Sequence, residues 1–350
     1  MIQKALYFMP DISGFTNFVN HTEVEHSIHI ISELLEILLD IATEDFELVE
    51  IEGDALFLFA TKIPDYKRLI NQTTQMLEKF HEHTKSYETK RICNCGSCRT
   101  TTNLELKFLV HYGALNFIKV KHIKKPYGRE VITIHRLLKN KIPINEYLLL
   151  TENAYNLYHN SLNQTWTKSS ETYDLKKLDY FYKNFGYVKE TINHKIDLKK
   201  NNKDYTSPFL KFKHVFEANI DEVYKYVSEL KYRHLWDKEA KRIEFDENKL
   251  NRIGTQHNCV LNIGNLNFET ISSYDRNQLA YGETTEDLML TRHFSYLIKL
   301  EKETETSTKV ITELYAELTT VGSFMKSNFT RMMKKSWENK LNNLQNVCEK

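Results

Sequence analysis

Proline and glycine are scarce, at 5 and 10 of 350 residues. Both interrupt regular structure. Their scarcity excludes a loop-dominated or collagen-like chain and points to long helices and strands. No stretch approaches the roughly 20 apolar residues that a membrane helix needs. Residues 1–10 lack the charged-then-apolar layout of a signal peptide. A cytoplasmic protein without a membrane span is expected. Net charge is also missing: 48 Lys and Arg stand against 47 Asp and Glu, which leaves +1. No bulk field draws the chain to nucleic acid or to an anionic membrane. There are only five cysteines, and three of them cluster at Cys93, Cys95 and Cys98.

What is abundant is ordinary for a folded soluble protein: 41% apolar and 27% charged residues, with 20 Tyr and 19 Phe. The length is too great for one average domain and fits two.

The first half alternates strand and helix patterns. Residues 5–12 form an apolar run that reads as a buried strand. Ile28, Ile31, Leu34, Leu35, Leu38 and Leu39 then repeat at helical spacing. Residues 46–60 (FELVEIEGDALFLFA) are two strand-like runs around a Gly-Asp turn. A second helix pattern covers about 66–88. Strand runs at 104–113 and 114–123 then form another pair, followed by a third helix at 128–141 and a strand at 147–150. The order predicts an α+β, ferredoxin-like βαββαβ core. Residues 161–207 read as polar and irregular and end in KKNNKDYTSP. They set the expected boundary between a domain at 1–200 and another at 208–350. The second half has one strand and helix, then six alternating strand patterns between 241 and 319. It closes with a long helix carrying Phe324, Phe329, Met332, Met333, Trp337, Leu341 and Leu344. A curved antiparallel sheet gripping that helix is predicted.

Three thiols crowd an insertion near 91–100, where RICNCGSCRT gives C-x-C-x-x-C at Cys93, Cys95 and Cys98. In a reducing compartment such a cluster reads as a metal site before a disulfide. Three thiolates bind Zn²⁺ with sulfur at about 2.3 Å. A closed site needs a fourth ligand, and the flanking histidines His81, His83 and His111 are the candidates. A Cys93–Cys98 disulfide or unmodified thiols are the alternatives.

FMPDISGFTNFV (8–19) resembles the opening strand of class III adenylate and guanylate cyclases, and EIEGDALFLF (50–59) resembles their second signature. YGREVITIHRLL (127–138) is similar to the cyclase helix that ends in a transition-state arginine, here Arg136. Within the class, EGDA, the C-x-C-x-x-C insertion and HRLLKN (135–140) resemble a bacterial subfamily. The resemblance spans about residues 3–195. It implies a nucleoside triphosphate as substrate, a 3′,5′-cyclic nucleotide and pyrophosphate as products, and two Mg²⁺ or Mn²⁺ ions. Asp11, Asp54 and the carbonyl of Ile12 would bind the ions, because divalent cations neutralise developing pyrophosphate charge. The amides of Ser13, Gly14, Phe15 and Thr16 would bind phosphate. Glu50 and Lys125 fall at the base-selecting positions. Glu50 resembles guanylate cyclases, the pair matches neither usual set, and the base stays open. Ile132 stands where the family has asparagine. The family's active site lies between two such domains, so the resemblance implies a homodimer with Arg136 supplied by the partner. The alternative is an inactive, cyclase-derived nucleotide sensor or a ligand-binding protein.

KHVFEANIDEVYKYVSELKYRHLWD (213–237), with Trp236, resembles the opening of START/polyketide-cyclase-like (SRPBCC) helix-grip domains. That implies a cavity for a hydrophobic small molecule between sheet and helix, with Phe324, Met325, Met332 and Trp337 as candidate lining residues.

Overall fold

The computed structural model describes residues 3–20, 24–162, 165–173, 176–192, 207–262, 264–272 and 279–350. The chain divides into two compact units. The first comprises residues 1–89 and 95–195, the second residues 90–94 and 196–350. Most of KKNNKDYTSP, where the boundary was expected, lies outside the described residues.

The first unit contains β1 (Lys4–Ser13), α1 (Phe15–Asn20), α2 (Val24–Ala42), β2 (Glu47–Glu52) and β3 (Ala55–Ala60). Then come α3 (Tyr66–Lys90), α4 (Gly96–Thr100), β4 (Glu105–Ala114), β5 (Phe117–Val120), β6 (Ile123–Pro126) and α5 (Arg129–Leu137). β7 (Tyr147–Thr151), α6 (Glu152–Tyr158), β8 (Thr167–Tyr173), β9 (Lys176–Asn184) and α7 (Tyr187–Thr191) complete it. Seven strands form one sheet in the order β2-β3-β1-β4-β7-β9-β8. β4 and β7 run parallel, and every other neighbouring pair is antiparallel. β1 is central and buried almost end to end, which is why its sequence is a continuous apolar run and not an alternating one.

Two sequence expectations are corrected here. The run at 114–123 does not form a strand paired with β4; its residues 117–120 are β5, which pairs with β6 in a separate hairpin. Within the stretch read as irregular, β8 and β9 add two strands to the sheet. The β8 sequence, TKSSETY, is polar because β8 is an edge strand with half its side chains in water, whereas β9, KKLDYFYKN, lies between β7 and β8 and buries Tyr180.

The second unit contains β10 (Leu210–Phe216), α8 (Ile220–Ser228), α9 (Arg233–Trp236), β11 (Arg242–Glu244), β12 (Gln256–Leu261) and β13 (Gly264–Ile271). It continues with β14 (Leu279–Thr285), β15 (Thr291–Lys302), β16 (Thr308–Leu318), α10 (Thr320–Phe324) and α11 (Lys326–Cys348). Its seven strands are ordered β10-β16-β15-β14-β13-β12-β11 and are antiparallel throughout. α8 starts at Asn219, whose side chain accepts the amide of Glu222 at 2.9 Å. On α11, Phe329, Met333, Trp337, Leu341, Leu344 and Cys348 recur every three or four residues and are buried. They join Tyr281, Phe294, Tyr296 and Ile298 of the sheet in one core. This overturns the cavity-lining expectation. Phe324, Met325 and Met332 face solvent, and Trp337 fills the core, with its ring centroid 4.6 Å from that of Tyr296.

Candidate active site and metal centre

Side chains alternate across a strand. Along β1, Ala5, Tyr7 and Met9 face one side of the sheet, where they pack with Ile134 and Leu137 of α5. Asp11 follows on the same side, at the end of the strand. Tyr7 and Met9 dictate its direction, and its carboxylate ends in the sheet and not at a free turn. Beside it, β2 and β3 meet in a two-residue turn, Gly53-Asp54. Gly53 takes φ +65°, a value that non-glycine residues seldom adopt and that primed hairpin turns require. The turn is tied back to β1, because the amide of Ile12 donates to the carbonyl of Asp54 at 3.1 Å. Asp11 pairs in register with Ala55, the residue after Asp54.

The two carboxylates feel each other. Burial raises the Asp54 pKa from 3.8 to about 6, and the Asp11 charge pushes it the same way. Burial also raises Asp11, against the pull of Lys107. Lys107 is a site residue that the motifs did not indicate. It lies opposite Asp11 in the β1–β4 register, and its ammonium sits 2.8 Å from the carboxylate. The signal was the lone lysine on the inward side of LELKFLVHYG. Two carboxylates against one ammonium leave an excess of negative charge at the sheet end, and hard carboxylate oxygens are the donors that Mg²⁺ or Mn²⁺ prefer.

Gly14, at φ +89°, lets the chain leave β1 and enter α1 directly. Phe15 and Thr16 form the first turn of α1, and the Ser13 hydroxyl lies 3.4 Å from the carbonyl of Asn145. Glu50 and Lys125 are brought together as an ion pair between β2 and β6. Arg136 stands half-buried in the last turn of α5. Its neighbour His135 ties that helix to the hairpin by a 2.7 Å contact with Glu52. Ile132 is exposed on the same helix.

The cysteine segment gathers a metal-ligand set. Ligand atoms of His26, Cys93, Cys95 and Cys98 all lie within 4.8 Å of one another, a group that could hold a metal ion. The Nδ1 atom of His26 is 3.3 Å from Cys95 Sγ and 3.7 Å from Cys98 Sγ. None of the five cysteines is in a disulfide. The expected fourth ligands are corrected: all three flanking histidines are committed elsewhere. His81 sits 2.6 Å from Glu146, His83 2.9 Å from Glu33 and His111 2.5 Å from Glu130. His26 comes from α2, which packs on α4 although about 70 residues separate them in sequence. No spacing rule links positions so far apart.

Among the described residues, no helix is long and apolar enough to cross a membrane.

Several known proteins are similar. The adenylyl cyclase CyaB from P. aeruginosa is 15% identical over 52% of this chain and 94% of its own, with a TM-score of 0.36. The guanylyl cyclase domain of the RhoGC fusion protein from Blastocladiella emersonii is 16% identical over 51% of this chain and 95% of its own, with a TM-score of 0.37. Residues 31–147 match a family described as "Protein of unknown function (DUF2652)". A Mycobacterium tuberculosis (strain ATCC 25618 / H37Rv) protein, "Uncharacterized protein Rv2561/Rv2562", is 31% identical over 167 residues, which is 48% of this chain and 73% of the relative. On that identity and coverage, the chain belongs to the same family as the mycobacterial protein.

Proposed function

We propose that the first unit is a nucleotidyl cyclase that converts a nucleoside triphosphate to a 3′,5′-cyclic nucleotide and pyrophosphate. The observation that carries this reading is the Asp11–Asp54 pair: two carboxylates, both raised in pKa by burial, beside a single lysine. Such a pair is poorly balanced without a cation, and its oxygens fit two Mg²⁺ or Mn²⁺ ions. When bound, the ions supply Lewis-acid polarisation of the phosphates and a more nucleophilic ribose 3′-oxygen. The chain's own residues do the rest. Asp11, Asp54 and the Ile12 carbonyl bind the cations. Amides from Ser13 to Thr16 hold phosphate oxygens. The Glu50–Lys125 pair meets the edge of the base. Arg136 of a second copy stabilises charge on the transferring phosphate.

A homodimer with two symmetric sites follows from that last role. The β5–β6 hairpin supports it, because Phe117, Ile118, Val120 and Ile123 are large apolar residues left exposed. We assign His26, Cys93, Cys95 and Cys98 to a structural Zn²⁺, which these three thiolates and one imidazole would hold. The strand order and the buried stripe of α11 support a helix-grip reading of the second unit.

The test of the cyclase reading is direct. Purified protein is incubated with Mn²⁺ and each of ATP, GTP, CTP and UTP, and products are resolved by chromatography. Cyclic nucleotide and pyrophosphate in equal amounts are expected with at least one of them. Binding without product from any nucleotide would leave the sensor reading, which the exposed Ile132 in place of a polar group favours. For the cysteine group, elemental analysis is expected to give one zinc per chain, and a clear loss of zinc in His26→Ala. Unchanged zinc in that variant rejects His26 as a ligand.

A further inference from the structure

The second unit exposes an apolar knob whose base is held rigid. Phe324 is 97% exposed, Met289 71% and Val321 62%, and Met325 and Met332 are also exposed. Large apolar residues this open are uncommon when they occur together. Fraying does not explain them. α10, which carries Val321 and Phe324, is bonded to the 286–290 loop: the Thr319 amide donates to the carbonyl of Leu290 at 3.0 Å. The Thr319 hydroxyl accepts the Gly322 amide at 3.0 Å and caps α10. Gly322 is so close that an added Cβ would lie 2.1 Å from the Leu290 carbonyl oxygen. Leu290 itself takes φ +71°, a left-handed value seldom adopted by a leucine. Met289, on one side of this clamp, and Phe324, on the other, are therefore presented together.

The charge around the knob has one sign along α10 and the start of α11. Residues 319–337 (TTVGSFMKSNFTRMMKKSW) hold Lys326, Arg331, Lys334 and Lys335 and no acidic residue. All four cations are exposed. Met325 and Met332 lie seven residues apart, two helical turns, so they share a face that the cations flank.

We propose that this face docks on an anionic lipid bilayer surface, with Phe324, Val321 and Met289 entering the headgroup region and the cations meeting lipid phosphates. Exposed aromatic and aliphatic side chains with Lys and Arg along one flank are what such a surface binds, and the two exposed acids of the clamp, Glu286 and Asp287, lie on the Met289 side, away in sequence from that cationic flank. A protein partner fits less well. Protein interfaces are depleted in lysine, whereas three of the four cations here are lysines. The chain's net charge of +1 hides the excess along residues 319–337, because acidic residues outside that run, Glu286, Asp287 and Glu338 among them, cancel it. The proposal concerns the second unit alone and does not depend on the cyclase reading.

The test is co-sedimentation of the full chain with vesicles. Phosphatidylcholine vesicles are compared with vesicles that also contain phosphatidylglycerol, at low and high salt. The native protein is expected to sediment with the anionic vesicles, and high salt or removal of the anionic lipid is expected to release most of it. Phe324→Asp is expected to weaken binding about tenfold or more, since it removes the largest buried apolar contact. Lys334→Glu with Lys335→Glu is expected to do the same at low salt. Both variants change exposed positions, and circular dichroism checks that they are folded. Failure of the native protein to bind anionic vesicles would overturn the proposal, as would equal binding by Phe324→Asp. Concentration-dependent self-association that Phe324→Asp abolishes, without vesicle binding, would assign the face to a second copy and overturn it too.

Discussion

Asp54→Asn is expected to lower Mn²⁺-dependent turnover by about 10²–10⁴-fold. A bound cation contributes several kcal/mol to transition-state stabilisation, and each 1.36 kcal/mol is a factor of about ten in rate. The variant keeps the shape of the turn and removes only the charge. The same group sets a pH dependence whose sign is fixed. Folding and desolvation hold the Asp54 proton up to about pH 6, whereas an unfolded chain releases it near 3.8. In the metal-free protein this carboxyl therefore favours the folded state below pH 4, and that contribution is lost as pH rises through 6. Cation binding needs the ionised form. Turnover with Mn²⁺ should thus rise with pH through about 6, and cation binding below that pH should release a proton. A rate that is flat between pH 5 and 7 would contradict this. Metal-free Asp54→Asn should also be slightly more stable than the native protein at pH 8, by about 1 kcal/mol once solvent screening of a half-exposed group is allowed for.

Glu283→Ala is expected to destabilise the second unit by about 3–5 kcal/mol, the usual cost of stranding a buried charge. Glu283 is fully buried on β14 and forms an ion pair with Arg233, which is itself buried. The Tyr281 hydroxyl donates to the same carboxylate at 2.5 Å, and Arg233 donates to the Tyr296 hydroxyl at 2.7 Å. Removing Glu283 leaves Arg233 with Asp237 at 3.8 Å as its remaining carboxylate partner. The double replacement Arg233→Met with Glu283→Met should recover most of the loss, because it removes both desolvation costs at similar volume. Urea unfolding followed by Trp236 and Trp337 fluorescence, in a Trp166→Phe background, reads the second unit alone. A shift below 1 kcal/mol for Glu283→Ala would show that this network contributes little.

How much of this the sequence carried depended on the range of the interactions. β1 and the β2–β3 hairpin were legible because a buried central strand is a run of apolar residues and a tight turn needs glycine. The stripe on α11 was legible in the same way, from Phe329, Met333, Trp337 and Leu341 at helical spacing. Direction beyond the stripe was not. Phe324 precedes α11 on a separately capped turn, so its angle does not follow the helix period. β8 was missed because an edge strand gains its stability from backbone pairing, which polar residues permit as well as apolar ones, and β9 because its short apolar centre, LDYFY, is flanked by lysines and lacks strict alternation. Lys107 and His26 were missed for a shared reason. Each meets its partner through tertiary contact, across a strand register or between two helices distant in sequence, and neither relation leaves a local pattern. Lys107 was recoverable in principle once β1 and β4 were aligned; His26 was not.

On the proposed reading, Asp11 and Asp54 together hold divalent cations for a bound triphosphate. Titration of Mn²⁺ into the protein, followed by the electron paramagnetic resonance of unbound Mn²⁺, tests it most directly. Native protein is expected to bind Mn²⁺ more tightly when a nucleoside triphosphate is present. Asp11→Asn and Asp54→Asn should each weaken that binding at least about tenfold. Equal Mn²⁺ binding by the native protein and both variants would contradict the account.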